Sequence, residues 1–406
     1  MRRLLGAIAA CSGAALLIIA GAPAIAAVPA GLNYVALGDS YSAGFGIEPF
    51  SMTSPFTATP STDLNGCYQA GANYPHLVAA SLGMLLTDQT CSGAVTANVT
   101  TTPQLTDTGQ TAPTVQDVAL STATDVVTIT IGGNDLGFAT IAADCIRLGP
   151  TTDPVALASK TPAPAPTSCE EYYTAPSGRW TGQVNLQNFL TTTVAPAINA
   201  TFATIAAKAP NARVFVVGYP KISPSDPTKA DGCYSAPFPP PAPNSVPFAA
   251  GDLLWLDTVE VALDSAIRDA VAMQGDRFTH VDTWPAFADH TVCDTDMWFG
   301  GITMTFPSGA GCDPLTQQTM SRDGFTICLA LGALHPNAEG VAALHSVVVA
   351  AIDAEYPATL PASGSSTPSP VFTISGLALL SLGAVLLAVG RRGTAPSPPA
   401  VSGRPT

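Results

Sequence analysis

Three residues far apart along the chain have types that can act together on an acyl group. Ser40 follows Gly38-Asp39 where the apolar run from Tyr34 ends. A serine hydroxyl is a weak nucleophile at neutral pH. It needs a base within hydrogen-bond reach and donors aimed at the oxyanion that forms when it attacks. His335, in Leu334-His335-Pro336-Asn337, is a candidate base. The Asn134 side-chain amide, and the backbone N–H groups of Ser40 and of Gly93 in Cys91-Ser92-Gly93-Ala94, are candidate donors. Each has an ordinary alternative. A serine after a strand caps a helix, and Asp39 and Asp135 serve turns through their short acceptor side chains. His76 and His345 fall on helical faces, and His280 lies inside a strand. His290 follows the last strand and is open to a substrate role.

The elements that would bring these residues together are legible as alternation. Apolar, β-branched runs at "LNYVALG", "DVVTIT", "ARVFVVG" and "FTHV" read as buried strands, with a further strand region before "CSGA". Between them lie helical stretches: "NYPHLVAASLGM", "NLQNFLTTTVAPAINATFATIAAKAP" with a break near Pro196, and the long amphipathic "FAAGDLLWLDTVEVALDSAIRDAVAMQG". A final helix, with a proline just inside its start, is "HPNAEGVAALHSVVVAAIDAEYP". Strands alternating with helices predict an α/β fold: a parallel sheet in a three-layer α/β/α sandwich of flavodoxin-like type. One such set predicts one catalytic domain over 31–358, with long loops near 144–180, 223–250 and 289–333. In such sheets ligands bind beyond the carboxyl ends of the strands, which is where Ser40, Gly93 and Asn134 fall.

The blocks "GDSYSAG", "CSGA", "IGGND" and "HPNAEG", in this order, resemble those of the SGNH, or GDSL-type, serine hydrolases. The pairs Cys67/Cys91 and Cys145/Cys169, together with "DTWPAFADHTVCD", resemble the secreted actinobacterial lipase and esterase branch. The resemblance implies that Ser40 is the nucleophile and His335 the base, with Ser40, Gly93 and Asn134 forming the oxyanion hole. The family commonly carries Asp three residues before the histidine, but Gly332 stands there. Some members of the branch use a main-chain carbonyl, so the expectation is a Ser–His dyad with the Gly332 carbonyl accepting from His335 Nδ1. Asp282 or Asp294 is the alternative third member. Trp298, Phe299, Met304 and Phe306 precede the histidine and are read either as an acyl-binding or covering segment or as packing.

Both ends read as addresses. Residues 1–26 carry two arginines, an apolar run and Ala24-Ile25-Ala26, the pattern of a signal peptide. The uncharged stretch 371–390 is long enough to span a bilayer. Arg391 and Arg392 follow it and assign 391–406 to the cytoplasm. The linker 359–370 holds Leu360-Pro361-Ala362-Ser363-Gly364, which resembles the sortase signal of Gram-positive bacteria, with Ser363 at the usual threonine. The expectation is export to the surface of a Gram-positive, actinobacterial cell, with a sortase or the membrane helix holding the protein there.

Of 406 residues, 47% are apolar and only 11% charged, and the net charge is −14. That balance repels nucleic-acid phosphates and excludes them as partners. Outside Cys11, eight cysteines remain, an even set that reads as disulfides in an exported chain. Pairing in sequence order closes local loops and predicts Cys67–Cys91, Cys145–Cys169, Cys233–Cys293 and Cys312–Cys328. No phosphate cradle or metal-ligand spacing stands out, so no cofactor and no metal are expected. The proline-rich "PFPPPAPNSVP" reads as a stiff surface loop. The sequence thus predicts a monomeric esterase or lipase acting on small-molecule or lipid esters through an acyl-enzyme. The alternatives are a carbohydrate O-acetyl esterase and a non-catalytic, wall-displayed binding protein on the same scaffold.

Overall fold

The computed structural model describes residues 28–48, 66–106, 112, 114–148, 168–174, 185–235, 245–305, 311–312, 317–322 and 325–356. The chain divides into two units, Met1–Ala358 and Thr359–Thr406. The expected signal peptide, linker, membrane segment and tail, Phe306, and most of the proline-rich loop lie outside the described residues.

Five strands form a parallel sheet: β1 (Asn33–Gly38), β2 (Leu85–Asp88), β3 (Val126–Thr130), β4 (Arg213–Val217) and β5 (Phe278–Val281). Their order is β2-β1-β3-β4-β5, the flavodoxin-like arrangement expected from the sequence. β3 is buried throughout, and β1 and β4 are buried except for their first residues. That is why they read as continuous apolar runs rather than as alternating ones.

The helices that matter for the site are α1 (Ser40–Ala43), α2 (Tyr74–Leu82), α3 (Thr96–Thr100), α4 (Gly133–Leu136) and α5 (Phe138–Leu148). They are followed by α6 (Ala195–Lys208), α7 (Ala250–Ala272) and α8 (Ala338–Glu355). α2 packs on α8, while α6 packs on α3 and α7, so two helical groups cover the sheet. The sandwich is therefore as the sequence predicts. The expected break near Pro196 is a π-helical turn at Leu190–Val194 that leads straight into α6. Such a turn takes up a local irregularity without ending the helix. Leu186–Lys208 is also long and apolar enough to cross a membrane, but Ile198, Phe202 and Ile205 are spent on the core.

Two local expectations differ from the structure. α8 begins at Ala338, after Pro336, with Asn337 as its cap accepting from Gly340 N at 3.0 Å. The long loop 289–333 contains a small antiparallel sheet: β6 (Met304–Thr305), β7 (Gln317–Arg322) and β8 (Phe325–Ala330), in the order β6-β8-β7. All four disulfides pair as expected. Cys312–Cys328 staples β8 to the chain ahead of β7.

Candidate active site

Sheet order reverses at β1 and β3, and the crevice at such a switch point is where an open α/β sheet binds ligands. Gly38, the last residue of β1, has φ +126°, and a Cβ there would lie 2.4 Å from Thr130 O. Only glycine lets the two strand ends approach this closely. The Gln116 amide clamps the turn, accepting from Gly38 N at 2.8 Å and donating to Gly38 O at 3.0 Å. Asp39 is the N-cap of α1, its carboxylate accepting from Tyr41 N at 3.0 Å. Ser40 is therefore the first residue of the helix and not its cap, so its hydroxyl is free for another partner.

That partner is His335. Its Nε2 lies 2.8 Å from Ser40 Oγ although 295 positions separate them in the chain. Its Nδ1 lies 2.9 Å from the carbonyl of Ala333. A carbonyl only accepts, so Nδ1 carries the proton and Nε2 presents its lone pair to the serine. The expectation of a main-chain carbonyl is met one residue later than expected. The Gly332 carbonyl instead accepts from the backbone N–H of His335 at 2.9 Å. The reason is the turn: Gly332 has φ +81° and Leu334 φ +59°, and this tight pair of positive-φ residues points Ala333 O at the ring and Gly332 O at the main chain.

The imidazole is enclosed by Tyr41, 4.6 Å away between ring centroids, and by Phe45 at 5.0 Å. Burial lowers the His335 pKa from 6.5 to about 4, with the Ala333 hydrogen bond opposing the shift. The ring is therefore a neutral base at neutral pH. Neither candidate aspartate reaches it. Asp282 pairs with Arg268 at 3.3 Å and accepts from Trp284 N, and Asp294 pairs with Lys229 at 2.6 Å.

Asn134 sits in the first turn of α4, directly after β3. Gly132 before it has φ +113°, and a Cβ there would strike Ile198 Cδ1 at 2.7 Å. The Asn134 amide donates to Ala94 O at 3.0 Å, which fixes the plane of the carboxamide. Ser40, Asn134 and His335 line one cavity of about 450 Å³. Gly93 is not among its lining residues; it occupies the turn beyond Cys91, whose N–H bonds Gly38 O at 3.0 Å.

Most of the rest of that cavity is apolar, although Glu260, Asp264 and Thr319 also reach it. Phe138, Ala142 and Ile146, four residues apart on one stripe of α5, form one wall. Met304 and Leu329 from the small sheet, with Ile222 and Leu263, form others. Of the expected covering residues that are described, only Met304 lies here. Trp298 stacks on His290 with centroids 3.5 Å apart, Phe299 packs on Phe287, and His290 is thereby a packing residue. His280 pairs with Asp264 at 3.0 Å, His345 with Ser81, His76 with Asn73, and Asp135 with the start of α3 through Thr96.

Three groups in the cavity wall were not evident from the sequence. Tyr41 donates to Leu334 O at 2.8 Å and so ties α1 to the histidine turn. Glu260 accepts from Ile222 N at 3.0 Å and Ser223 N at 3.1 Å. Burial raises its pKa from 4.5 to about 7, against those hydrogen bonds. Tyr219, after β4, donates to the Asp39 carboxylate and accepts from Gly133 N at 2.8 Å. Among the described residues no group of three or more His, Cys, Asp or Glu is gathered that could hold a metal.

The chain is similar to known proteins in both sequence and fold. The profile of the GDSL-like lipase/acylhydrolase family matches residues 36–343. The chain is 32% identical over 270 residues to Lipase 2 of Streptomyces coelicolor, covering 65% of this chain and 73% of that protein. It is 29% identical over 318 residues to an esterase of Streptomyces scabiei, covering 74% and 84%. Among solved structures it is similar to phospholipase A1 from Streptomyces albidoflavus, with a TM-score of 0.51 and 24% identity over 79% of this chain and 99% of the other. It is also similar to an extracellular lipase from Streptomyces rimosus, with a TM-score of 0.50 and 22% identity over 79% and 99%.

Proposed function

Because the chain belongs to the GDSL-like lipase/acylhydrolase family and is a carboxylic ester hydrolase, we propose that it is an exported, surface-held lipase or esterase. It works through a Ser40–His335 dyad on esters with long acyl chains. The observation that carries the acyl preference is the largely apolar cavity of about 450 Å³ that opens on Ser40 and His335. Its size falls in the usual range for ligand pockets, and an acetyl group would leave most of it empty.

In the proposed mechanism, His335 Nε2 removes the Ser40 hydroxyl proton as the oxygen attacks the ester carbonyl. The tetrahedral oxyanion is received by the N–H of Ser40 and the Asn134 amide, and the family resemblance assigns the Gly93 N–H as a third donor although Gly93 is not in the cavity lining. An amide nitrogen has two donor hydrogens. Ala94 O takes one and orients the group, leaving the second for the oxyanion. His335 then protonates the leaving alcohol, and water repeats the sequence on the acyl-enzyme. The Ala333 carbonyl holds the tautomer as a triad aspartate would, but it is neutral and stabilises the imidazolium less. The oxyanion donors carry correspondingly more of the rate, and loss of one such donor costs about 10²–10³ in kcat.

Export is supported by the four disulfides, which persist in oxidising compartments. The signal-like start and the Leu360–Gly364 signal with its following apolar stretch support surface attachment. A p-nitrophenyl ester series from acetyl to palmitoyl tests the reading on wild type and Ser40→Ala. Ser40-dependent turnover that rises with chain length supports it. A maximum at acetyl points to the O-acetyl esterase alternative, and turnover that survives Ser40→Ala refutes the nucleophile.

A further inference from the structure

From the geometry around Tyr219 we infer that its hydroxyl is a positioning group for the ester reaction, setting the spacing between the nucleophile and the oxyanion amide. This rests on the roles of Ser40 and Asn134 proposed above. Ser40 and Asn134 are carried by separate turns, after β1 and after β3. One atom, the phenolic oxygen of Tyr219, touches both. It donates to the carboxylate of Asp39, the residue before Ser40, and accepts from the N–H of Gly133, the residue before Asn134, at 2.8 Å.

Both contacts matter to polar groups that have few other options. Gly133 N is one of the N-terminal donors of α4 that no helical carbonyl can satisfy. Asp39 is 1% exposed, and its other side-chain contact, from Tyr41 N, already serves as the cap of α1. The phenol cannot drift from this position. Its ring stands edge-on to Tyr41 at 5.0 Å, and its backbone carbonyl accepts from Trp284 Nε1 at 3.0 Å and Thr283 Oγ1 at 3.1 Å. A Cβ on Gly133 would lie 3.0 Å from the phenolic oxygen, so the second glycine of "IGGND" is the one that admits Tyr219. Burial and the neighbouring Asp39 hold the phenol pKa well above its ordinary value, so it keeps its proton throughout the working range.

The test is a kinetic cycle of Tyr219→Phe, Asn134→Ala and the double variant, read with one long-chain p-nitrophenyl ester. Tyr219→Phe keeps the ring and removes only the bridging oxygen. We expect kcat to fall about 10- to 100-fold, since a misplacement of about 1 Å can cost about 100-fold, with KM moving by less than about threefold. In the Asn134→Ala background the same change should cost nothing further, because the atom it positions is gone. A wild-type kcat in Tyr219→Phe, or a loss that multiplies in full with that of Asn134→Ala, overturns the inference and leaves the active-site reading standing. Full activity in Asn134→Ala overturns both. If Tyr219→Phe does not fold, Asp39→Ala and Asp39→Asn decide. The alanine variant should show the same non-additive loss. The asparagine variant keeps an acceptor for the phenol and should recover most of it; equal losses in the two refute the link.

Discussion

Gly46 and Gly332 meet backbone to backbone beside the histidine turn. A Cβ on Gly46 would lie 2.4 Å from Gly332 Cα, and one on Gly332 would lie 2.9 Å from Gly46 Cα. Gly332 also has φ +81°, a conformation that L side chains avoid. The position where related enzymes place the triad aspartate is therefore filled here by a close approach of two chain segments.

It follows that Gly332→Asp will not complete a triad. The new side chain must push the Gly46 turn away or move the loop that carries His335. We expect at least about a tenfold loss of kcat/KM, with destabilisation of about 1–3 kcal/mol from strain and overpacking. Steady-state kinetics and urea denaturation of the variant check this, and a gain in kcat would contradict it.

The buried His335 predicts an unusual acid limb. Its pKa is lowered to about 4, so the free enzyme should keep a neutral base far below the ordinary histidine value of 6.5. The kcat/KM profile for an uncharged ester reports that ionisation. Its acid-side midpoint should fall near 4. A midpoint at 6.5 would mean that the ring is solvated in the working enzyme.

Glu260 predicts a stability slope of opposite sign to that of most carboxylates. Its pKa is raised to about 7 in the fold, against an ordinary 4.5. Below 4.5 both folded and unfolded states hold the proton. As pH rises to 7 the unfolded chain ionises first, so this group's contribution to stability is lost through that window. Glu260→Gln removes the titration. Relative to wild type, its unfolding free energy should improve from pH 5 to pH 8 in urea melts, whatever its offset at either pH.

The α5 stripe predicts where acyl length is measured. Ala142 is buried in the cavity wall between Phe138 and Ile146. Ala142→Trp should fill the groove and shift the chain-length optimum down. Each methylene denied burial is worth about 0.8 kcal/mol, or about fourfold in kcat/KM. Short esters should be hydrolysed nearly as before, and a uniform loss at every chain length would place the acyl chain elsewhere.

The sheet and the proposed reacting groups were legible because they obey local rules. Strands buried on both faces leave apolar runs such as "VVTIT", and Ser40 and Asn134 follow such runs directly. What was hidden depends on geometry that no local pattern carries. Ala333 rather than Gly332 bonds His335 because Leu334 takes a left-handed conformation that is rare for leucine. The small sheet escaped notice because "QQTMSR" is polar and the Met304–Thr305 strand is too short to show a period. Tyr219 reads as an aromatic ending a strand; its role arises only when three strand ends are set side by side.

The disulfides join each cysteine to the next one along the chain, from Cys67–Cys91 to Cys312–Cys328. No loop encloses another and none interlocks. A polypeptide threading outward from its N-terminus can seal each loop once the second thiol has emerged, while later thiols are still out of reach. Under the export proposed above, maturation of such a chain calls for an oxidant but little thiol–disulfide reshuffling.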